Sequence, residues 1–183
     1  MIGGWGTPDE MTIDSPKSNV PFVPFMAVKE YEYIRDLIGR EKFETALEWG
    51  AGSSTIWFPN NTTIKSWLAI EHNEKYVEYL KDKVSDKVEL SLRTTHHSYL
   101  DVISRKFDLK FDLILIDGLY RDECLEKAFD LLNPCGIILL HDAGRKAYHD
   151  FYDKYPHEIV FEGEGWLGDG WDHRGITAFR TNL

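Results

Sequence analysis

Two glycines stand two residues apart in "LEWGAGSST" (residues 47–55), directly after a short apolar run. They are Gly50 and Gly52, and because neither carries a Cβ, the backbone can turn sharply there and approach a bound molecule. Ser53 and Ser54 follow, and their hydroxyls can cap a helix that begins after the glycines. A strand, a glycine bend and a helix N-terminus form a common ligand site. The segment therefore predicts a surface on which a small molecule lies.

An acidic side chain stands at the spacing expected for a ribose contact. Glu71 lies 19 residues after Gly52, near the end of the apolar run "IKSWLAIEH". A carboxylate about 20 residues after such a glycine loop accepts hydrogen bonds from ribose hydroxyls in nucleotide-binding α/β folds. Together the glycine pair and the acid predict a ligand that contains adenosine. Thr55 stands where a dinucleotide fingerprint has its third glycine, so NAD is the less favoured ligand.

Polar residues also end the other apolar runs. Asp117 follows "FDLILI", and His141 and Asp142 follow "CGIILL". Earlier runs end in the same way, at Glu48, at Glu71 and His72, and at Arg93 to His97. Ligands of open parallel sheets bind outside the carboxyl ends of the strands. The whole set therefore predicts a cleft lined by acids and imidazoles.

The elements that must position these residues alternate along the chain. Seven segments have the length and the apolar or β-branched character of strands: ETALEWG, IKSWLAIEH, VELSLRT, FDLILIDG, CGIILLHD, HEIVFEG and ITAFRT. Residues 111–118 and 135–142 are almost continuous in Ile and Leu, which is typical of strands covered on both faces. Amphipathic helices are predicted before and between the strands, one ending at Gly39 and another capped by Asn73. We predict an α/β, Rossmann-like, doubly wound fold with a mostly parallel sheet of about seven strands and helices on both faces.

Length and composition indicate one domain. A chain of 183 residues that is 43% apolar can bury a sizeable core and fits a single compact unit. Within it we expect an N-terminal arm over 1–24, a ligand-binding core over 43–143 and a closing segment over 144–183. Trp5, Trp166 and Trp171 lie in glycine-rich stretches of the arm and the closing segment, and two interpretations stay open: they pack against the flanks of the domain, or these stretches fold over the cleft as lids.

Charge and composition limit the partners and the location. The formal charge is −10, with 31 acidic and 21 basic side chains, and this excess would repel the phosphates of a nucleic acid. No run approaches about 18 apolar residues, and the N-terminus lacks the pattern of a signal peptide. Cys124 and Cys135 lie in apolar segments and are predicted to be buried thiols in a reducing compartment. We expect a cytoplasmic protein with a small-molecule partner, no nucleic acid and no membrane; the oligomeric state stays open.

In this order, the segments resemble class I S-adenosylmethionine (SAM)-dependent methyltransferases. The resemblance rests on "LEWGAGSST", "AIEHNEKY" and "FDLILIDGLYRDECLEKAFDLLNPCGIILLHDA" and covers 43–143. It implies SAM as cofactor, with its methionine part at the glycine loop, its ribose on Glu71, its adenine near 94–97 and its ammonium near Asp117. The implied cofactor-binding residues are Glu48, Gly50, Ala51, Gly52, Ser53, Ser54, Glu71, His72, Thr95, His96 and Asp117.

The fourth predicted strand ends in "DGLY", where methyltransferases of base amino groups resemble D-P-P-Y. This stretch is more similar to small-molecule O-methyltransferases of the catechol and macrocin types. In those enzymes, acids after the fourth and fifth strands hold Mg²⁺, and Asp117 and Asp142 match them. Ala143 replaces an asparagine of the catechol type, and Tyr120 replaces a lysine.

The resemblance implies that Asp117, His141 and Asp142 carry the catalysis. His141 would lie beside the transferred methyl group and, without a metal, would act as the general base; His96 and His97 are weaker candidates. Two other functions stay open at this point. One is a nicotinamide-dependent oxidoreductase, and the other is a homologue that binds an adenosyl ligand without catalysis.

Overall fold

The computed structural model of the protein describes residues 23–102, 110–145, 148, 152–162 and 175–180. Five helices and seven strands lie in these ranges, in the order α1 (Val28–Glu41), β1 (Thr45–Trp49), α2 (Ser53–Asn61), β2 (Ser66–Glu71), α3 (Glu74–Lys81), β3 (Val88–Leu92), α4 (His96–Leu100), β4 (Phe111–Ile116), α5 (Arg121–Leu131), β5 (Leu132–His141), β6 (His157–Glu162) and β7 (Gly175–Phe179). The three tryptophans of the glycine-rich stretches, Trp5, Trp166 and Trp171, lie outside the described residues.

All seven strands join one sheet, in the order β3-β2-β1-β4-β5-β7-β6. Strands β1 to β5 pair in parallel, whereas β7 runs antiparallel to both β5 and β6. The strand order reverses between β1 and β4, so the loops after these two strands flank the crevice of the sheet. The predicted α/β, doubly wound fold with a mostly parallel sheet is confirmed.

Alternating side chains of the central strands build a core on each face of the sheet. Ala46 of β1 packs into the core that contains Ile34, Phe58 and Trp67, while Leu47 packs into a second core on the opposite face. Because both faces are covered, the central strands are apolar at nearly every position. Their carboxyl ends are then the first places where polar side chains can meet a ligand.

Three local predictions differ from the structure. Helix α1 continues past Gly39 to Glu41, because Lys42 adopts the left-handed conformation that ends a helix (φ 58°). His96 and His97, expected in a loop after the third strand, begin the short helix α4. Cys135 is exposed and only Cys124 is buried, although both are free thiols; Cys135 lies in the part of β5 where the pairing with β4 shifts its register.

In the described part of the chain, no helix is both long enough and apolar enough to cross a bilayer.

Candidate active site

The bend after β1 packs against the turn after β4. Gly50 has a φ of 97°, and a Cβ placed on it would lie 2.6 Å from both Cα and N of Gly118. A Cβ on Gly118 would in turn lie 2.0 Å from the Tyr99 hydroxyl and 2.8 Å from the Gly50 nitrogen. The bend is also fixed to β2, since the N–H groups of Gly50 and Ala51 donate to the Ile70 carbonyl at 2.9 and 3.2 Å. Gly50 is therefore required by the contact between two loops of the protein itself.

Gly52 faces open space instead. The nearest atoms to a Cβ on Gly52 would be the hydroxyls of Ser54 at 3.8 Å and Tyr76 at 3.9 Å, which are ordinary van der Waals contacts. Its φ of −163° is extended backbone that any residue adopts. Of the two glycines, Gly52 is thus the one whose missing side chain leaves room beside the loop.

Glu48 lies behind the glycine loop and is completely buried. Its carboxylate accepts hydrogen bonds from the hydroxyls of Ser54 and Thr55 (2.6 Å) and from Trp67 Nε1 (2.8 Å). Burial raises the pKa of Glu48 to about 7, although these three donors favour the ionised form. In this conformation, Glu48 fixes the start of α2 and offers no surface to a ligand.

The helix after the glycines is capped by a residue other than the two serines predicted for that task. Thr55 Oγ1 accepts a hydrogen bond from the Gly52 N–H at 2.8 Å. Ser53 is the first residue of α2 and is half-buried, and Ser54 is occupied by Glu48. Thr55 is fully buried and fills the position where a dinucleotide fingerprint would bring helix and strand together through a glycine.

Glu71 ends β2 at the same edge of the sheet and is 5% exposed. Its Oε1 accepts a hydrogen bond from the Asn73 N–H at 2.8 Å and lies 2.9 Å from Nδ1 of the exposed His72. Burial raises the pKa of Glu71, and the contacts with Asn73 and His72 oppose the shift. A carboxylate accepts about four hydrogen bonds, so capacity for a ligand hydroxyl remains. The predicted cap of α3 is confirmed, because Asn73 accepts from the Tyr76 N–H at 3.3 Å.

Thr95 and His96 begin α4 beside the N-terminus of α5. Thr95 caps α4 by accepting from the Ser98 N–H at 3.2 Å. The His96 Nε2 lies 2.8 Å from Oε1 of Glu123, a first-turn residue of α5, and its ring meets that of Tyr120 edge to face at 4.4 Å. Both residues are exposed. Through its contact with Glu123, His96 joins α4 to α5 at the edge of the sheet where the cleft is predicted.

His141 is held between carboxylates of different elements. Its Nδ1 lies 2.8 Å from Oδ1 of Asp117, which follows β4, and its Nε2 lies 3.4 Å from Oε2 of Glu30 in α1. Burial lowers the pKa of His141, but the hydrogen bonds to Asp117 and Glu30 and the nearby charge of Asp142 outweigh it and raise the pKa to about 10. Both ring nitrogens of this buried side chain thus face carboxylates of the protein. In this arrangement, neither nitrogen is directed toward an acceptor, so the general-base role that we expected stays a prediction.

The carboxylate of Glu30 is ionised beside this ring. Burial opposes its ionisation, but the contact with His141 and a hydrogen bond from the Ala27 N–H (2.8 Å) hold the pKa of Glu30 below its usual value. Glu30 is 3% exposed, so its carboxylate contacts other groups of the protein and is not available to a ligand. Helix α1 is thereby tied to the ends of β4 and β5.

Arg121, the first residue of α5, joins the two strand ends from the other side. Its Nε donates to the carbonyl of Gly118 at 2.9 Å, and its Nη groups donate to the carbonyls of His141 (2.6 Å) and Asp117 (3.0 Å). The guanidinium also lies 3.0 Å from Oδ1 of Asp117 and 3.2 Å from Oδ2 of Asp142. Asp142 has a second cation at 2.6 Å, the guanidinium of Arg145.

The expected Mg²⁺ site does not fit these contacts. One ligand atom each from Asp117, His141 and Asp142 lies within 4.8 Å of the others, which is close enough for a metal centre. However, the Arg121 guanidinium bridges the two carboxylates, at 3.0 Å from Asp117 and 3.2 Å from Asp142. A divalent cation would meet this positive charge at short range, so we derive no step through a metal here.

Glu30 and Arg121 were missed in the sequence, although each leaves a signal. Glu30 stands four and eight residues before Ile34 and Ile38, which places a carboxylate on the apolar face of α1. Arg121 is a cation in the first turn of a helix, where the macrodipole favours anions. Such misplaced charges indicate partners in the tertiary structure.

Comparison with solved structures shows the same fold. A Staphylococcus aureus protein provisionally assigned as a caffeoyl-CoA O-methyltransferase has a TM-score of 0.67 and 17% identity, with 86% of each chain covered. The O-methyltransferase TomG from Streptomyces achromogenes, involved in tomaymycin synthesis and solved with SAM, has a TM-score of 0.64 and 18% identity over 87% of this chain and 84% of its own.

A third similar structure is an O-methyltransferase from Bacillus cereus in complex with S-adenosylhomocysteine (SAH). Its TM-score is 0.67 at 18% identity, with 85% of this chain and 82% of that chain covered. No protein-family model matches the sequence, and no curated protein matches it. The chain thus has the fold of SAM-dependent O-methyltransferases.

Proposed function

We propose that the protein is a SAM-dependent methyltransferase that methylates a hydroxyl group of a small molecule. One observation carries the proposal: the open side of Gly52 and the carboxylate of Glu71 lie at the carboxyl edge of the sheet, beside the crevice where the strand order reverses. This is where open α/β sheets bind ligands. The three solved methyltransferases with this fold support the assignment.

The proposal assigns the parts of SAM to the elements that surround the crevice. The methionine part lies in the room beside Gly52, and the ribose hydroxyls donate to Glu71. The adenine lies near Thr95 and His96 at the start of α4. Asp117, whose side chain is 22% exposed, faces the ammonium group of the cofactor.

The contacts of His141 limit the kind of acceptor that the site can methylate. Methyl transfer from a sulfonium is an in-line displacement, so the protein has to place the acceptor oxygen and the acceptor has to lose its proton. Since the two ring nitrogens of His141 face Asp117 at 2.8 Å and Glu30 at 3.4 Å, neither is directed to the acceptor, and His141 positions the Asp117 carboxylate instead. The site therefore favours a weakly acidic hydroxyl, such as a phenol with a pKa of about 10, which ionises with less help from a base than an alcohol does.

A small acceptor fits the remaining observations. The net charge of −10 disfavours a nucleic acid as substrate. Two of the similar enzymes are described by small-molecule chemistry, namely caffeoyl-CoA and tomaymycin synthesis. The free thiols of Cys124 and Cys135 agree with the cytoplasmic location that we propose.

The nicotinamide alternative is less favoured than it was from the sequence alone. Thr55 fills the helix–strand contact that a third glycine would open in a dinucleotide fold. The antiparallel β7 between β5 and β6 also differs from the strand order 3-2-1-4-5-6 of the dinucleotide-binding sheet. A binding protein without catalysis keeps the same cofactor site, so only a transfer assay distinguishes it from an enzyme.

We expect that Glu71→Ala weakens SAH binding by about 1.5–3 kcal/mol, the range for hydrogen bonds to a charged group. The fold survives, because Glu71 stands at a strand end. Isothermal titration calorimetry with SAH measures the change. Glu74→Ala, an exposed acid at the start of α3, is the matched control and leaves the affinity unchanged. Wild-type affinity in Glu71→Ala, or tighter binding of NAD than of SAH, would overturn the cofactor assignment.

Transfer of labelled methyl from SAM to a panel of phenols and sugar hydroxyls tests the reaction itself. We expect product with phenols and little with sugars. Tight SAH binding without transfer to any acceptor would favour the alternative without catalysis.

A further inference from the structure

All three guanidinium nitrogens of Arg121 contact oxygens of the protein. An arginine side chain has five N–H donors in a fixed fork, and five oxygens surround this one at 2.6 to 3.2 Å. Three of them are main-chain carbonyls at the ends of β4 and β5, and two are the carboxylates of Asp117 and Asp142. Arg121 is 8% exposed. Four of these contacts are hydrogen bonds and the fifth, to Asp117 Oδ1, is an ion pair, so the guanidinium is occupied by the protein and is not placed to bind an anionic substrate.

The charges around this group balance. The acids Asp117 and Asp142 contribute two negative charges, and the guanidinium groups of Arg121 and Arg145 contribute two positive ones. Buried or half-buried charges are stable when they are paired and hydrogen-bonded. A divalent cation added to the balanced cluster would leave a net excess of two positive charges in a poorly solvated place.

We infer that Arg121 is the resident cation of this site, taking the position between Asp117 and Asp142 that a divalent metal would otherwise take. The guanidinium holds the two strand ends together and forms an ion pair with each of the two carboxylates, and it thereby prevents metal binding. A lysine would keep the charge but has only three donors for five oxygens. The inference concerns cation binding, so it can be tested independently of the proposed methyl transfer.

Removing the arginine should create a divalent cation site. We expect that the 183-residue wild-type chain shows no Mn²⁺ binding up to about 1 mM, whereas Arg121→Met binds Mn²⁺ with a dissociation constant at least about 10-fold below that concentration, because two carboxylates then lack their shared cation. Electron paramagnetic resonance of free Mn²⁺ measures binding. Thermal unfolding gives a second readout: Mn²⁺ raises the melting temperature of Arg121→Met by mass action and leaves that of wild type unchanged.

Two control variants distinguish the effect of the positive charge of Arg121 from the effect of the shape of its side chain. Arg121→Lys keeps a cation and is expected to gain no Mn²⁺ binding, although it loses part of the fork. Arg121→Met combined with Asp142→Asn loses the gained binding, because one ligand is removed. If Arg121→Met folds only when Mn²⁺ is present, the metal has replaced the guanidinium, which also supports the inference.

Two results would overturn it. One is Mn²⁺ binding by wild type that disappears in Asp142→Asn. The other is a folded Arg121→Met that gains no affinity for Mn²⁺. If Arg121→Met does not fold under any condition, the wild-type titration alone decides, with and without the Asp142→Asn change. Proposed methyl transfer that persists in EDTA would agree with the inference, but the binding data do not depend on it.

Discussion

Gly50→Ala is expected to destabilise the protein by about 2–6 kcal/mol. Backbone strain at a left-handed position costs about 1–3 kcal/mol, and Gly50 has a φ of 97°. Overpacking adds about 1–3 kcal/mol, since the new Cβ would lie 2.6 Å from the Gly118 backbone. That neighbour is main chain, fixed between β4 and α5, so it cannot rotate away as a flexible side chain would. Urea unfolding followed by circular dichroism measures the loss.

Two glycine variants serve as controls for this prediction. Gly39→Ala lies in the exposed part of α1 with nothing within 4 Å of its Cβ, and we expect it to stabilise the protein by about 0.5–1 kcal/mol. Gly52→Ala is expected to keep nearly wild-type stability but to weaken SAH binding, because its Cβ enters the space assigned to the ligand. Equal destabilisation by Gly50→Ala and Gly52→Ala would contradict the assignment of Gly50 to the contact between the loops and of Gly52 to the ligand space.

The second large effect is a loss of stability at alkaline pH that depends on His141. Its folded-state pKa is about 10, above the value of about 6.5 for an unfolded chain. The stabilisation is therefore present in full below pH 6.5 and is lost as the pH rises to about 10. A shift of this size corresponds to the order of a few kcal/mol. It arises because the ring must give up a proton while the Asp117 and Glu30 carboxylates face it.

The matched variant for this prediction is His141→Gln, which stays neutral at every pH. We expect the free energy of unfolding of wild type to approach that of His141→Gln between pH 6.5 and 10. Glu48, whose pKa is raised to about 7 by burial, lowers the stability of both proteins as the pH rises through that value, so its effect cancels in the difference. Denaturant unfolding at several pH values measures both curves. A constant difference across this range would mean that His141 is neutral in the folded protein.

The sequence by itself determined the frame of the molecule. Runs of Ile and Leu at 111–118 and 135–142 predicted strands covered on both faces, and the structure has β4 and β5 there, in the centre of a doubly wound sheet. It also located the polar residues that end these strands, because strand length and direction place their carboxyl ends at one edge. Period and spacing are local properties, so they can be read without the fold.

The tertiary structure decided what each polar residue does. Glu48 is adjacent in sequence to the glycine loop. The alternation of side chains along β1 directs it into the protein, where it accepts a hydrogen bond from Trp67 of β2. His141 contacts Glu30, which lies 111 positions earlier in the chain, and this contact raises the pKa of His141. Arg121 lies between Asp117 and Asp142, where we had expected a metal, because the first turn of α5 packs against the ends of two strands. Charge state and hydrogen-bond partners depend on groups that are distant in the chain, and only packing brings those groups together.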